Sequence, residues 1–265
     1  MDTDSLRTLT YNVRRDVADD GDYDWAGRRA AVAGTVRFHR PDVVGLQEPL
    51  ARQYDDLKAA LPAYKWVGQS RLAGEREDEF CPVGYRRERF DRLGSGTFWL
   101  SETPTEPGSV GWDASWPRIA TWVRLRDRRT DKTLVYVNTH LDHEGPRARR
   151  EAARLLLDRL PELRAGDPVA LGGDFNCTDA DEPYAILVGE GDRESPLTDA
   201  RTASSHRPHG PDTTRTDFEA LRPGLRIDHV FVDGPTVEGY GVASDMGGDD
   251  WYPSDHLPVV VDLSL

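Results

Sequence analysis

The sequence predicts an α+β fold in which two β-sheets pack face to face and helices flank them. Nine strand-like apolar runs stand against only three helical patterns, so the helices are too few for a regular strand-helix alternation. No repeat of 20 to 50 residues is present, which argues against solenoids and propellers. The 265 residues fit one domain spanning residues 1–265.

The predicted strands are short runs rich in β-branched and aromatic residues, and many end in a polar residue. Strands buried on both faces read as continuous apolar runs, as Val169-Ala170-Leu171 does. In chain order the predicted strands are Arg7–Asn12, Val43–Gln47, Trp66–Val67, Pro82–Arg86, Ala120–Leu125, Leu134–His140, Val169–Gly173, Ile227–Val232 and Pro258–Leu263.

Helical patterns cover Trp25–His39, Leu50–Leu61 and Gly145–Leu163. The third has alanine and leucine on one face and arginine on the other, as expected for a helix that covers a sheet. Long loops separate the elements, and loops of this length in a domain commonly form functional rims. We expect them to enclose a cleft: Arg14–Asp24, Ser70–Phe80, Ser101–Trp116 and Ala200–Leu225.

The composition narrows the function classes. A formal net charge of -13 gives no broad basic footprint for nucleic acid. Lysine occurs only at Lys58, Lys65 and Lys132, which fits a halophilic source or a GC-rich genome equally well. Two cysteines, Cys81 and Cys177, are too few for a disulfide framework. With no signal peptide and no apolar run long enough to span a membrane, we expect a cytoplasmic monomer.

Polar residues stand at the ends of five of the apolar runs, four of them after the run and one pair directly before it. They are Asn12, Glu48, His140, Asp174 and the Asp255-His256 pair. Strand ends that each present an acid, an amide or an imidazole indicate one shared site at the edge of the sheets. Carboxylate and amide oxygens without thiols suit Mg²⁺ or Mn²⁺, and such an ion in turn suits a phosphoester substrate.

The motifs at these positions resemble those of the endonuclease/exonuclease/phosphatase superfamily, which includes deoxyribonuclease I. The resemblance runs in family order from residue 6 to 265, and the motif forms are closest to the deadenylase-like and small bacterial branch. It implies a four-layer αββα sandwich with two mixed β-sheets and hydrolysis of a P–O bond by an activated water. The motifs are Tyr11-Asn12, Gln47-Glu48, Asn138-Thr139-His140, Gly173-Asp174-Phe175-Asn176, Ile227-Asp228-His229 and Ser254-Asp255-His256.

The resemblance also implies a set of metal ligands. Glu48 would be the principal ligand of Mg²⁺ or Mn²⁺, with Asn12 beside it and Asp255 as a further ligand through water. Considered alone, Glu48 is equally well explained as an acid that stabilises the start of a helix.

The same resemblance implies catalytic roles for five residues. Asp174 would orient or deprotonate the attacking water, and Asn176 and His140 would donate to phosphoryl oxygens. His256 would be the catalytic histidine and Asp228 the carboxylate that fixes its tautomer and favours its protonated form. Alternatives are an Asx-turn for the Asp-Phe-Asn segment and buried core positions for the histidines.

Further residues are candidates for the cleft wall. Glu79 would place a carboxylate near His140, and Arg118 would bind the substrate phosphate, with a solvated loop and a surface salt bridge as alternatives. Asp142 and the adjacent His143 would line the same cleft unless they are solvated loop residues. Three tryptophans can stack on a base or sugar, but packing is the preferred role for Trp25, Trp112 and Trp116.

The substrate is not fixed by these motifs. We expect a phosphodiesterase acting on single-stranded nucleic acid or a small nucleotide. A phosphomonoesterase, or a hydrolase of phospholipid or sugar-phosphate head groups, is the alternative. A catalytically inactive binding module is a third reading, which the complete set of competent residues argues against.

Overall fold

The computed structural model of the chain describes residues 5–72, 78–248 and 250–265. Part of the predicted loop Ser70–Phe80, residues 73–77, lies outside these ranges. Within them, no helix is both long and apolar enough to cross a membrane.

Twelve strands form two six-stranded sheets. The first has the order β11-β12-β1-β2-β4-β3 and the second β5-β6-β7-β8-β10-β9. Each contains one parallel pair, β1 with β2 and β7 with β8, among antiparallel neighbours, so both sheets are mixed. The strands are β1 (Ser5–Asn12), β2 (Val43–Gln47), β3 (Tyr64–Val67), β4 (Val83–Arg86), β5 (Phe90–Trp99), β6 (Ile119–Asp127), β7 (Thr133–His140), β8 (Val169–Asp174), β9 (Thr198–Asp199), β10 (Asp228–Asp233), β11 (Thr236–Val242) and β12 (Val259–Ser264).

Helices cover the outer faces of the sheets. The helices are α1 (Trp25–His39), α2 (Ala51–Ala60), α3 (Pro146–Arg164), α4 (Glu182–Leu187) and α5 (Ala200–Ala203), with a 3₁₀ helix at Ala18–Tyr23. Val36 and Leu57 of α1 and α2 pack on the first sheet, and Leu156 of α3 packs on the second. A third apolar cluster lies between the sheets. The predicted four-layer αββα sandwich is therefore confirmed.

Side chains alternate along each strand, and this alternation decides which residues meet between the sheets. In β1, Leu6 packs in the inter-sheet core, so Asn12, three pairs further along, lies on the same inward face. In β7, His140 is the last residue on the inward face that includes Leu134. In β8, Asp174 is the last residue on the inward face that includes Ala170. The strand ends therefore direct their polar residues into one gap between the sheets.

Strand pairing then fixes their spacing. His140 and Asp174 are register partners in the parallel β7–β8 pair, and Asp228 is the register partner of Asp174 across β10 and β8. Beneath them the Gln47 amide donates to Asn138 Oδ1 at 2.6 Å and joins the two sheets. This hydrogen bond links the two sheets directly below the polar residues.

Two long strands are missing from the sequence-based prediction, β5 and β11. Both lie at sheet edges and both contain a register irregularity, at Arg92/Gly94 and at Val237/Gly239. Edge strands with glycines and half-exposed side chains lack the apolar run that marks a buried strand.

Candidate active site

A cleft of about 310 Å³ opens at the strand ends. Its acidic lining residues are Glu48, Glu79, Asp174 and Asp255. Its other polar and aromatic lining residues include His140, His143, His256, Asn176 and Trp116. Among the residues that the structure describes, five arginines also line it, namely Arg14, Arg15, Arg71, Arg118 and Arg215. Most of the predicted site residues therefore share one cavity.

Three residues of this cleft have left-handed backbone conformations. The φ angles are 56° at Arg14, 70° at Glu48 and 47° at Asn176. Such angles are unfavourable for residues other than glycine and persist where surrounding contacts enforce them, often at functional sites. At Glu48 this turn redirects the chain between the end of β2 and the start of α2.

Two carboxylates lie together at the base of the cleft. The Asn12 amide nitrogen donates to Glu48 Oε1 at 2.9 Å and to Asp174 Oδ2 at 3.0 Å. Glu48 Oε2 accepts the backbone N–H of Arg15 at 2.9 Å. Ligand atoms of Glu48, Asp174 and His140 all lie within 4.8 Å of one another, and this donor set fits a divalent cation.

The other two predicted ligands are placed differently. The backbone N–H of Arg14 donates to Asn12 Oδ1, so the Asn12 amide nitrogen, not its oxygen, faces the carboxylates. Asp255 lines the cleft, but its Oδ2 accepts from Arg215 Nη1 at 2.9 Å and it belongs to no cation-sized group among the described residues. In this arrangement Asn12 holds two carboxylates in place and Asp255 holds an arginine.

His256 and Asp228 form a buried pair. His256 Nδ1 lies 2.8 Å from Asp228 Oδ2, and its Nε2 lies 3.6 Å from Asp174 Oδ2. Burial alone would lower the pKa of His256, but the charges of Asp228 and Asp174 raise it to about 9. The ring is therefore protonated at neutral pH, and both of its nitrogens are donors.

Asp174 lies at the centre of the site. Burial raises its pKa to about 6, with the charge of Asp228 adding to the rise and His256 opposing it. Its Oδ1 accepts the backbone N–H of Asn176 at 2.9 Å, which leaves Oδ2 directed at Asn12 and the two histidines. A carboxylate with a pKa just below neutrality is suited to accept a proton from water.

His140 and Asn176 present a pair of donors. Arg118 Nη1 lies 3.2 Å from His140 Nδ1, and because a guanidinium can only donate, the proton of the neutral ring is on Nε2. Asn176 Nδ2, which also only donates and already donates to the Leu141 carbonyl at 3.0 Å, lies 3.1 Å from that Nε2. In this tautomer the two nitrogens are therefore adjacent donors with no hydrogen bond between them. Burial, with the charge of Arg118, holds the pKa of His140 well below its usual value. Two N–H groups thus converge, as required to bind an oxygen anion.

Arg118 and Asp142 are held by partners within the protein, and the substrate-binding roles expected for them stay predictions. All three Arg118 nitrogens have partners, since Nε donates to Asp142 and the two terminal nitrogens approach His140 and His143. Asp142 is only 2% exposed, lies outside the cleft lining and accepts backbone N–H groups of Glu144 and Gly145. The structure therefore shows Arg118 fixing the histidines and Asp142 fixing Arg118.

Glu79 lies on the cleft wall among arginines. It accepts from Arg71 at 2.8 Å and from Arg15 at 3.3 Å, and Arg118 is 3.9 Å away. Burial, together with the charge of Glu48, raises the pKa of Glu79 to about 7. Sequence reasoning did not find Arg15 or Arg71, because charged loop residues carry no pattern that separates a cleft wall from a solvated surface.

The three candidate tryptophans differ in how deeply they are buried. Trp25 is fully buried and Trp112 packs against the outer core of the second sheet, which confirms packing for both. Trp116 is 48% exposed and lines the cleft, with the Arg71 guanidinium carbon 5.2 Å from its ring centroid. The packing expectation is therefore wrong for Trp116.

Comparisons with known proteins identify the family of this chain. The model of the "Endonuclease/Exonuclease/phosphatase family" matches residues 9–256. Nocturnin of Drosophila melanogaster is 24% identical over 283 residues, covering 91% of this chain but only 42% of that protein.

Two bacterial structures align along nearly their whole length. An endonuclease/exonuclease/phosphatase of Bacteroides vulgatus is 35% identical with a TM-score of 0.91, covering 98% of this chain and 99% of that one. A mannosyl-6-phosphatase of Bacteroides thetaiotaomicron is 34% identical with a TM-score of 0.91, covering 98% and 100%. The chain belongs to the endonuclease/exonuclease/phosphatase family.

Proposed function

We propose that this protein, acting as a single domain, hydrolyses a small phosphomonoester with the help of Mg²⁺ or Mn²⁺. One observation carries the proposal. A cleft that holds a cation-sized pair of carboxylates, Glu48 and Asp174, also holds the convergent donors of His140 and Asn176. These are the parts needed to bind a phosphoryl group and direct water at it.

Each residue has a role in the proposed reaction. Glu48, with Asp174 close by, would hold the cation, which supplies positive charge to the phosphoryl group and to water. Asp174 accepts a proton from the attacking water. His140 and Asn176 donate to the phosphoryl oxygens, and the protonated His256 stabilises the charge that develops there. Asp228 keeps His256 oriented and protonated.

The charges of the cleft favour a compact anion over a long strand. Within residues 5–72, 78–248 and 250–265, five arginines and the protonated His256 outnumber the four carboxylates that line the cleft, although the whole chain carries -13. A nucleic-acid strand would need cationic contacts to successive phosphates, whereas a monoester needs positive charge only at one place. The 34% identity with a mannosyl-6-phosphatase over full length supports a sugar phosphate as the substrate.

A substrate panel tests the proposal. Phosphate release from hexose 6-phosphates, glycerol 3-phosphate and nucleoside monophosphates is measured with Mg²⁺ or Mn²⁺, beside bis-(p-nitrophenyl) phosphate and short single strands. We expect the highest kcat/KM for a sugar monoester. Faster cleavage of the diesters would support the phosphodiesterase expected from the sequence. No turnover of any compound with either ion would favour an inactive binding module.

A further inference from the structure

We propose that Trp116, which lines the same cleft as His143 and Arg15, forms a subsite for the sugar ring of a phosphorylated sugar. The proposal rests on the proposed function, because it places the ring of the same substrate whose phosphoryl group lies between His140 and Asn176. Trp116 is the specificity-determining residue of this subsite. It binds the ring and takes no part in the chemistry.

The exposure of Trp116 is the first argument. Six large hydrophobic residues within the described ranges are exposed, and only Trp116 among them lines the cleft. An indole left 48% exposed forgoes burial of a large apolar surface. Exposed aromatic side chains inside a polar cavity are typical of ligand contact, since their faces remain available for stacking.

Its environment is the second argument. The guanidinium of Arg71 lies over the indole at 5.2 Å, and Glu79 and Asp78 fix that guanidinium with contacts of 2.8 and 2.9 Å. The ring is therefore supported from one side by a buried, immobilised cation. A platform held in this way loses little conformational freedom when a ligand stacks on it.

The polar neighbours suit hydroxyl groups. His143 Nδ1 lies 2.8 Å from the Arg118 guanidinium, which places the ring proton on Nε2. This Nε2 lies 3.5 Å from Glu144 Oε1, and both side chains are exposed, at 48% and 68%, so a ligand hydroxyl can reach the N–H in competition with the carboxylate. The Arg15 side chain is 41% exposed and uses one terminal nitrogen on Glu79. A pyranose has an apolar C–H face, which can stack on the indole, and a rim of hydroxyls, which can accept from the N–H groups of the same cleft.

The subsite adjoins the phosphoryl site through one side chain. The two terminal nitrogens of Arg118 contact His143 on the sugar side and His140 on the phosphoryl side. A phosphate bound to His140 therefore places the group attached to it toward His143, in the cleft that Trp116 also lines. The cleft of about 310 Å³ is at the small end for ligand sites and suits one ring with its phosphate.

Trp116→Ala and Trp116→Phe test the proposal against Phe38→Ala, a matched control that removes an aromatic ring exposed to 76% outside the cleft. Values of kcat/KM are measured for a hexose 6-phosphate, glycerol 3-phosphate and a nucleoside 5′-monophosphate. We expect Trp116→Ala to lose about 10-fold more on the hexose phosphate than on glycerol 3-phosphate, as stacking contacts of this kind typically contribute. Trp116→Phe should recover most of the loss, and Phe38→Ala should match the wild type.

Equal losses on the ring and chain substrates, or no loss, would overturn the sugar subsite. A larger loss on the nucleoside monophosphate would replace it with a base platform. These outcomes differ from failure of the proposed function, in which the wild type itself hydrolyses no phosphomonoester. If Trp116→Ala does not fold, the same comparison with Trp116→Phe decides, with a smaller selective loss expected.

Discussion

Acid should destabilise this protein through His229, a residue next to Asp228 on β10 that faces the opposite side of the sheet. Its ring packs against Phe175, Tyr184 and Phe231 in the outer core. Nδ1 lies 2.8 Å from Arg226, so it accepts, and Nε2 donates to the carbonyl of Cys177 at 2.9 Å. The Arg226 contact therefore requires the neutral form of the ring, and the Nε2–H bond to Cys177 is compatible with that form.

The magnitude follows from the pKa. Burial, with the charge of Arg226, lowers the pKa of His229 to about 4, although Asp199 and Asp228 oppose the shift. The unfolded chain binds the proton at its ordinary pKa of about 6.5. Below that pH the unfolded state takes up a proton that the folded state excludes, so stability falls until the pH reaches the folded pKa. Between pH 7 and 4.5 the loss amounts to about 2 kcal/mol.

The assay compares unfolding free energies by urea titration at both pH values for the wild type and His229→Gln. Glutamine can accept from Arg226 and donate to Cys177 but does not titrate in this range. Other acid-sensitive groups act equally in both proteins, so the wild type should lose about 2 kcal/mol more than the variant. His206→Gln, an exposed histidine, serves as the matched control and should behave as the wild type. Identical pH slopes for wild type and His229→Gln would refute the reasoning.

Three further predictions concern the site. Glu48→Gln removes a charge from the proposed cation site and should raise the half-activating Mg²⁺ concentration about 100-fold, whereas Glu144→Gln, outside the cleft, should leave that concentration unchanged. EDTA should stop the reaction reversibly, and activity in the presence of the chelator would contradict the metal requirement. Asp174→Asn and His256→Ala should each lower kcat at least about 100-fold with melting curves close to wild type; variants that mainly unfold would indicate structural roles. Arg28→Met removes donors to four backbone carbonyls and should cost about 3 kcal/mol of unfolding free energy by urea titration, with a loss under 1 kcal/mol arguing against this clamp.

The side chain of Arg28 holds together the loops on which the site depends. Its guanidinium is buried and donates to the carbonyls of Val13, Arg14, Tyr23 and Pro253. These carbonyls lie in the segments after β1 and before His256, so one side chain ties both edges of the cleft. Nothing in the sequence near Arg28 indicates this role, because its partners are backbone atoms up to 225 positions away.

The sequence by itself determined the two-sheet fold and the central polar residues. Buried strands such as β7 and β8 carry continuous apolar runs, and the residues that end them, among them His140 and Asp174, are marked by local motifs. The period of two along a strand then directs these ends inward, so their meeting follows from local rules.

Only the tertiary structure decided the edge strands, the roles of Asp142 and Arg118, and the cleft wall of Arg15, Arg71 and Trp116. Each of these depends on contacts with a distant segment, as when Ser115 and Arg118, 27 and 24 positions away, donate to the carboxylate of Asp142. Burial and pairing of a loop residue arise from contacts across the fold, and a local pattern does not encode them.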